Sequence, residues 1–273
     1  MPSDKANDYL LTSGTAEMQR LRLQAQVWEP AATEFLSTLN ISPGSRALDL
    51  GCGAMGVLGP LSRFVGDSGT VIGLDSDATQ LAAAQSFVEE AKLTNVSIVE
   101  RDAFNSGLPA GHFDLVHVRF LFAPVGRDAD LLAEMLRLVR PGGIIAIQEP
   151  DASCWNVAPP NQPWSALKAA ILAAFRAGGG DFDAGCRTFG MLQAAGLQQV
   201  SQRNTVLAAT GHHPYKRLPL QFAVSLRRRI LDSSLLSETQ LDAYLSDVAV
   251  VADDPASVMT TFIVTQVAGR KAD

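Results

Sequence analysis

Cysteine is scarce in this sequence, and what there is does not pair. Cys52, Cys154 and Cys186 are three in 273 residues, an odd number at wide spacing with no C-x-x-C. That argues against a disulfide framework and against a zinc site, and it suits a reducing cytoplasm. Long apolar runs are missing too. None reaches the roughly 18 residues of a membrane-spanning helix, so no membrane association is expected. The first thirty residues lack the basic-then-apolar order of a secretion signal. Positive charge is short: 22 Lys and Arg stand against 28 Asp and Glu, a net charge of −6. Such a chain is a poor general binder of phosphate backbones, so no nucleic-acid partner is expected. There is no internal repeat and no low-complexity tract. "GHHP", 211–214, has no third ligand at a recognisable spacing, so no metal is expected.

What is present is apolar residue in quantity, 47% of 273, enough for one enlarged domain with a sizeable core. From residue 46 short apolar runs alternate with helical patterns. "RALDLG", "GTVIGLD", "VSIVERD", "FDLVHVRF" and "GGIIAIQEP" read as five strands. Between them, "VLGPLSRFVG", "ATQLAAAQSFVEEAKL" and "ADLLAEMLRLVR" read as helices. This alternation predicts β-α-β crossovers and an α/β fold, a doubly wound and mostly parallel sheet. "DASCWNVAPPNQPW", 151–164, reads as a loop overhanging the carboxyl edge, where such sheets bind ligands. Two helices follow, "PWSALKAAILAAFRAGG" and "RTFGMLQAAGL". "QQVSQRNTVLAAT" and "SVMTTFIVTQVAGR" then read as sixth and seventh strands. The expected organisation is one domain: an N-terminal helical cap (1–40), a sheet core (41–211), a helical insertion (212–256) and the last strand (257–273). Both helical attachments are placed to cover the site, the insertion as a lid.

The chemistry gathers at strand ends. "ALDLGCGAMG", 47–56, holds Gly51, Gly53 and Gly56 in G-x-G-x-x-G. Glycines between a strand and a helix permit positive φ and close approach of a ligand to backbone, and the helix N-terminus aims N–H groups at it. Alone, the pattern suits a dinucleotide, another adenosine compound or a mere tight turn. Asp49 stands two residues before the first glycine, where it would repel a pyrophosphate and attract an ammonium group. The second strand ends in Asp75, able to accept both ribose hydroxyls. The third ends in Asp102, followed by Ala103 and Phe104. There a carboxylate can accept from an adenine amino group while the next N–H donates to the ring. Three successive strands ending in Asp do not form a dehydrogenase pattern.

Taken together, these stretches resemble the class I S-adenosylmethionine-dependent methyltransferases, of the small-molecule type grouped with ubiquinone/menaquinone methyltransferase-like enzymes. "LDLGCGAMG" (48–56), "VIGLD" (71–75), "VERDAF" (99–104), "FDLVHVRF" (113–120) and "LRLVRPGGIIAIQEPD" (136–151) match the family's motifs in order. One departure is the third glycine of the first motif, which sits one residue late. The N-terminal stretch resembles a bacterial subgroup in which a Tyr and a Glu-x-x-Arg-Leu precede the sheet, as Tyr9, Glu17, Arg20 and Leu21 do here. The resemblance implies a Rossmann-like fold and S-adenosyl-L-methionine as cofactor. Gly51, Cys52 and Gly53 would meet its methionyl part, with Asp49 near the amino group. Asp75 and Ser76 would hold the ribose, and Asp102, Ala103 and Phe104 the adenine. Arg119 would pair with the methionyl carboxylate. The implied reaction is O- or N-methylation of a small, partly apolar metabolite by a cytoplasmic monomer or homodimer. The Asn/Asp-Pro-Pro-aromatic motif of amino-methylating nucleic-acid enzymes is missing, with "VRFLFAP" in its place.

Plainer alternatives stand beside these assignments. Asp49 could cap the following helix, Asp75 and Asp102 could be turn residues, and Arg119 could pair with Glu149 or Asp151. No catalytic residue is evident. His117 could be a base or a structural histidine, and His212 or His213 a base or loop residues. Trp28, Trp155, Trp164, Phe120, Phe122, Tyr215 and Phe222 could be core or an apolar acceptor pocket. "RRR", 227–229, reads as a solvated helix face. An NAD-dependent oxidoreductase and a non-catalytic S-adenosylmethionine-binding module remain the rival functions.

Overall fold

Seven strands make the central sheet in a computed structural model that describes residues 15–273, with side chains from residue 18 onward. Tyr9 and the side chain of Glu17 therefore lie outside the described residues. Strands β1 (Arg46–Leu50), β2 (Thr70–Asp75), β3 (Val96–Glu100), β4 (Phe113–Arg119) and β5 (Val139–Asp151) are parallel. After the short β6 (Asn156–Ala158) come β7 (Gln198–Thr205), β8 (Ala208–Ala209), β9 (Val258–Thr260) and β10 (Ile263–Arg270). The sheet order is β3-β2-β1-β4-β5-β10-β7, and β10 is antiparallel to both its neighbours. The doubly wound, mostly parallel seven-stranded sheet expected from the sequence is present. Strand order reverses between β1 and β4, which puts the ends of those strands where such sheets hold ligands.

The apolar faces of the sheet are closed by helices. On one side pack α1 (Thr15–Ser37), α2 (Leu58–Val65) and α3 (Ala78–Glu90), through Phe35, Leu36, Leu58, Leu61 and Ala84. On the other pack α4 (Phe122–Val125), α5 (Asp128–Leu138) and, later in the chain, α7 (Gly185–Ala194), while α6 (Gln162–Ala177) belongs to the third core described below. Phe122, Leu131, Met135 and Leu192 fill that side. Because β5 is buried on both faces from Gly143 to Pro150, its sequence reads as one continuous run and not as an alternation.

A third core lies beyond the carboxyl edge. The insertion supplies a 3₁₀ turn (Pro214–Arg217), α8 (Leu218–Ser225), α9 (Arg227–Asp232) and α10 (Glu238–Asp253), the last opened by a Ser237–Gln240 capping box. These pack with α6 and the middle of α1 around Trp28, Trp155, Trp164, Tyr215 and Phe222. The Trp28 indole N–H donates to the Tyr215 hydroxyl at 2.8 Å, tying α1 to the insertion.

Three expectations are corrected here. The third strand stops at Glu100, and Asp102 sits in a tight turn, its carboxylate accepting from the Phe104 N–H at 2.9 Å. The segment 198–210 is two strands and not one, as is 257–270. In each the chain crosses between the main sheet and a small antiparallel one, order β6-β9-β8: β7 leads out to β8, and β9 leads back into β10. Thr261 and Leu207 bond reciprocally at the crossing, N–H to carbonyl and N–H to hydroxyl, both at 2.9 Å. That exit turns Phe262 into the third core against Trp28 and Trp155. The presumed loop 151–164 contributes β6 to the same small sheet.

Candidate active site

The loop after β1 is held from both sides. The N–H groups of Gly51 and Cys52 both donate to the Leu74 carbonyl, at 2.7 and 2.9 Å. The Gly53 N–H donates to Asp75 Oδ2 at 2.8 Å. Gly51 has φ +72°, and a Cβ there would lie 2.7 Å from Leu121 Cδ2. Only glycine lets the Leu121 side chain close over this backbone. Asp75 Oδ1 also accepts from Ser76 and Asp77, at 2.8 and 3.0 Å. Burial raises its pKa, and these backbone hydrogen bonds oppose the rise. The Cys52 thiol is pushed well up by burial and by the charges of Asp49 and Asp75, so it packs as a neutral group.

Asp49 proves to belong to the loop's own architecture. It is sealed from the surface, and Oδ2 accepts from the Val57 N–H at 2.9 Å, at the start of α2. Its Oδ1 meets His117 Nδ1 at 2.8 Å. The capping alternative fits this geometry, and a direct bond from Asp49 to a ligand's ammonium group does not. Gly56 is required because a Cβ there would collide with the Asp49 carboxylate. His117, fully buried, continues the chain. A carboxylate offers no hydrogen, so Nδ1 carries the proton and Nε2 accepts from Gln148 Nε2 at 2.8 Å. Gln148 Oε1 then accepts from Gln266 Nε2 at 2.7 Å, which also donates to the Ala31 carbonyl at 3.1 Å. Both ring nitrogens of His117 are thereby used, and the histidine is structural. His212 and His213 are exposed, and His213 Nδ1 accepts from the Tyr215 N–H. Neither lines the pocket described below, so the structure brings none of the three histidines forward as a base.

Arg119 closes β4 beside the glycine loop. Its Nη2 donates to the Gly56 carbonyl at 2.6 Å, and its Nη1 is buried without a hydrogen-bond partner. Neither Glu149 nor Asp151 pairs with it, so that alternative falls. Glu149 instead accepts from the N–H groups of Leu121, Phe122 and Ala123. Burial pushes its carboxyl up to about 7. Asp102 is exposed, with one oxygen on Phe104; the Arg127 guanidinium lies 3.8 Å from the Phe104 ring centroid.

Past Arg119 the chain lines a pocket with about 380 Å³ of empty space, its mouth included. Its walls are Phe120, Phe175, Phe182, Phe222 and Phe262, with Arg20 and Gln24 from α1 at one side. The Arg20 guanidinium bonds Gln24 at 2.7 Å and lies 4.7 Å from the Phe222 centroid. Of the aromatics singled out in the sequence, Phe120 and Phe222 line this pocket, while Trp28, Trp155, Trp164, Phe122 and Tyr215 are core. Phe175, Phe182 and Phe262 went unread because they come from α6, a loop and the sheet crossing, which no local pattern brings together. Leu121 went unread for the same reason, and Glu149 reads in the sequence only as a possible partner of Arg119.

Comparison with known proteins agrees with this geometry. Residues 47–143 match the family model described as a methyltransferase domain. The chain is 34% identical over 116 residues to a demethylmenaquinone methyltransferase of Geobacillus sp. (strain WCH70), covering 42% of this chain and 50% of that protein. It is 33% identical over 125 residues to a nocamycin O-methyltransferase of Saccharothrix syringae, covering 46% and 45%. The match thus spans about half the length of these relatives. The solved YcgJ protein of Bacillus subtilis shares the fold, with a TM-score of 0.59 at 16% identity over 89% of this chain and 99% of that one. The family match decides between the readings that the glycine pattern left open: residues 47–143 match a methyltransferase domain, and this part of the chain is similar to demethylmenaquinone methyltransferases.

Proposed function

We propose that the whole chain methylates a small, partly apolar metabolite on oxygen or nitrogen, with S-adenosylmethionine as donor. The phenylalanine pocket carries this reading, because it begins at Phe120, one residue past the arginine that borders the glycine loop. A pocket walled by five phenylalanines suits a small, partly apolar molecule. The cofactor fits the residues present. Its methionyl carboxylate would supply the acceptor that Arg119 Nη1 lacks. Asp75 keeps lone pairs for ribose hydroxyls beside its three backbone donors, with Ser76 next to it. Asp102 keeps one oxygen for an adenine amino group, between Ala103 and Phe104.

The bound cofactor would supply an electrophilic methyl carbon on a sulfonium. The chain's share is to bind, orient and exclude water. Proximity and orientation alone can contribute roughly 7–11 kcal/mol, so a site without a general base still suffices for an acidic hydroxyl or a neutral amine. The rest of the proposal is that the enzyme works in the cytoplasm as a monomer or homodimer. Its three cysteines are free, and no described helix is long and apolar enough to cross a membrane, which supports that setting. The test is calorimetry with S-adenosylmethionine and NADH, followed by a screen of phenolic, enolic and amine acceptors. Tighter binding of NADH would overturn the donor, and transfer only to a polynucleotide would overturn the acceptor class.

A further inference from the structure

Glu149 is the buried charge that methyl transfer, as proposed, leaves without a task. It lies near the end of β5, fully sealed from the surface, and among the described residues no cation pairs with it. Its carboxylate takes three consecutive backbone N–H groups: Oε1 from Leu121 at 2.7 Å and Phe122 at 3.0 Å, Oε2 from Ala123 at 3.1 Å. These donors open α4, a helix of four residues whose start has no side-chain cap of its own. Glu149 caps it from the neighbouring strand.

The captured segment touches both halves of the site. Arg119 reaches back to the Gly56 carbonyl, and Leu121 lies against Gly51. Phe120 and Ala123 line the phenylalanine pocket. Phe120 has φ +58°, a conformation that a bulky residue holds only when its surroundings impose it. The imposed bonds are the Phe120 N–H to the Gln148 carbonyl on one side and the Glu149 clamp on the other.

We infer that Glu149 is a positioning residue: by gripping residues 121–123 it sets the glycine loop and the acceptor pocket at the separation that transfer requires. This rests on the methyl-transfer reading. The full grip needs the ionised form, since a proton on Oε2 turns a donor toward the Ala123 N–H and leaves only the two bonds to Oε1. Burial resists ionisation and brings the carboxyl to about 7, so the grip is made and released near neutral pH. Asp128 at the start of α5 faces it, and Arg187 of α7 pairs with Asp128. The neighbouring Cys186 thiol is pushed up to about 11. Thr265, opposite on β10, is neutral.

The test uses the full chain and S-adenosylhomocysteine, which has no group titrating near 7. Wild-type affinity should fall about tenfold from pH 8 to pH 6, following the protonated fraction below a pKa near 7. Glu149→Gln should be flat across that range at the weak level. Glu149→Asp, with the charge one methylene short, should keep the pH dependence with weaker binding throughout. Should the Gln variant fail to fold, the wild type still decides: exchange of the Leu121, Phe122 and Ala123 amides, corrected for intrinsic rate, should quicken at pH 6. A pH dependence that survives in Glu149→Gln, or wild-type binding and protection equal at both pH values, overturns the inference alone. No binding of S-adenosylhomocysteine at any pH overturns the methyl-transfer reading and the inference with it.

Discussion

One guanidinium nitrogen of Arg119 is satisfied by Gly56 and the other is buried with no partner. An unpaired buried N–H on a charged group is costly, so its persistence marks a place where a ligand completes the set. Arg119→Ala should weaken S-adenosylmethionine binding by about 1.5–3 kcal/mol, the range for a charge-assisted hydrogen bond. Arg119→Lys should restore part of this, since a point charge lacks the planar fork. Calorimetry on both variants checks it, and an unchanged dissociation constant would remove Arg119 from the site. Asp75 carries a double load, because it also closes the glycine loop through Gly53, Ser76 and Asp77. Asp75→Ala should therefore lower both the affinity, by a similar about 1.5–3 kcal/mol, and the melting temperature of the ligand-free protein. A loss of stability with affinity intact would show that the ribose is held elsewhere.

Between elements, the buried line Asp49–His117–Gln148–Gln266 crosses β1, β4, β5 and β10 and ends on α1 at the Ala31 carbonyl. His117→Leu leaves Asp49 Oδ1 and the Gln148 amide without their partner in the core, which should cost about 1–3 kcal/mol for each in denaturant unfolding. Transfer per folded molecule should fall far less than the 10²–10⁴-fold that loss of a general base would bring. A fall of that size with stability unchanged would make His117 catalytic after all. This line also marks what the sequence discloses. Periodicity identifies β1 and β4, and Asp49 at a strand end announces a role. That Asp49 faces His117 follows from pairing across 68 residues, which no local pattern encodes. The same holds for Glu149, which reads as the tail of an apolar strand until β4 delivers three N–H groups to it. The break at Thr261 was hidden because an unbroken β-prone run does not reveal that two sheets share it.

Glu149 also sets an opposing pH trend in stability. Its folded value of about 7 lies above the ordinary 4.5, so the native state holds a proton that the unfolded chain has released. Between those values stability falls as pH rises, on the order of 3 kcal/mol over the whole interval. Cofactor affinity should rise across the upper part of that window while stability declines. Chemical denaturation at pH 5, 6 and 7 checks the sign. Glu149→Gln should remove this contribution, and a steeper decline in that variant would place its source in another group.

At the scale of the molecule, the third core is built almost wholly from segments outside the parallel sheet. The middle of α1, α6 and the insertion meet around Trp28, Trp155 and Tyr215, over the edge where β1 and β4 end. The Phe pocket lies inside this core, between it and the residues that follow β4 and β5. A ligand wider than the pocket's mouth must therefore part these helices to enter, whereas the sheet can stay as it is. Opening such a cap by local unfolding is cheaper than opening the sheet, whose strands are bonded on both sides. The expectation is that cofactor plus acceptor slows amide exchange in residues 15–37 and 212–256, with little change in β1, β4 and β5. The Trp28–Tyr215 hydrogen bond is the described link between the two cap segments that a single atom can remove. Tyr215→Phe should loosen both together, raising their exchange in the ligand-free state while the sheet stays protected. If only the insertion loosens, α1 is held by its packing on α2 and does not move with the lid. If the cap exchanges equally with and without ligands, these helices are fixed walls, and entry must occur without their parting.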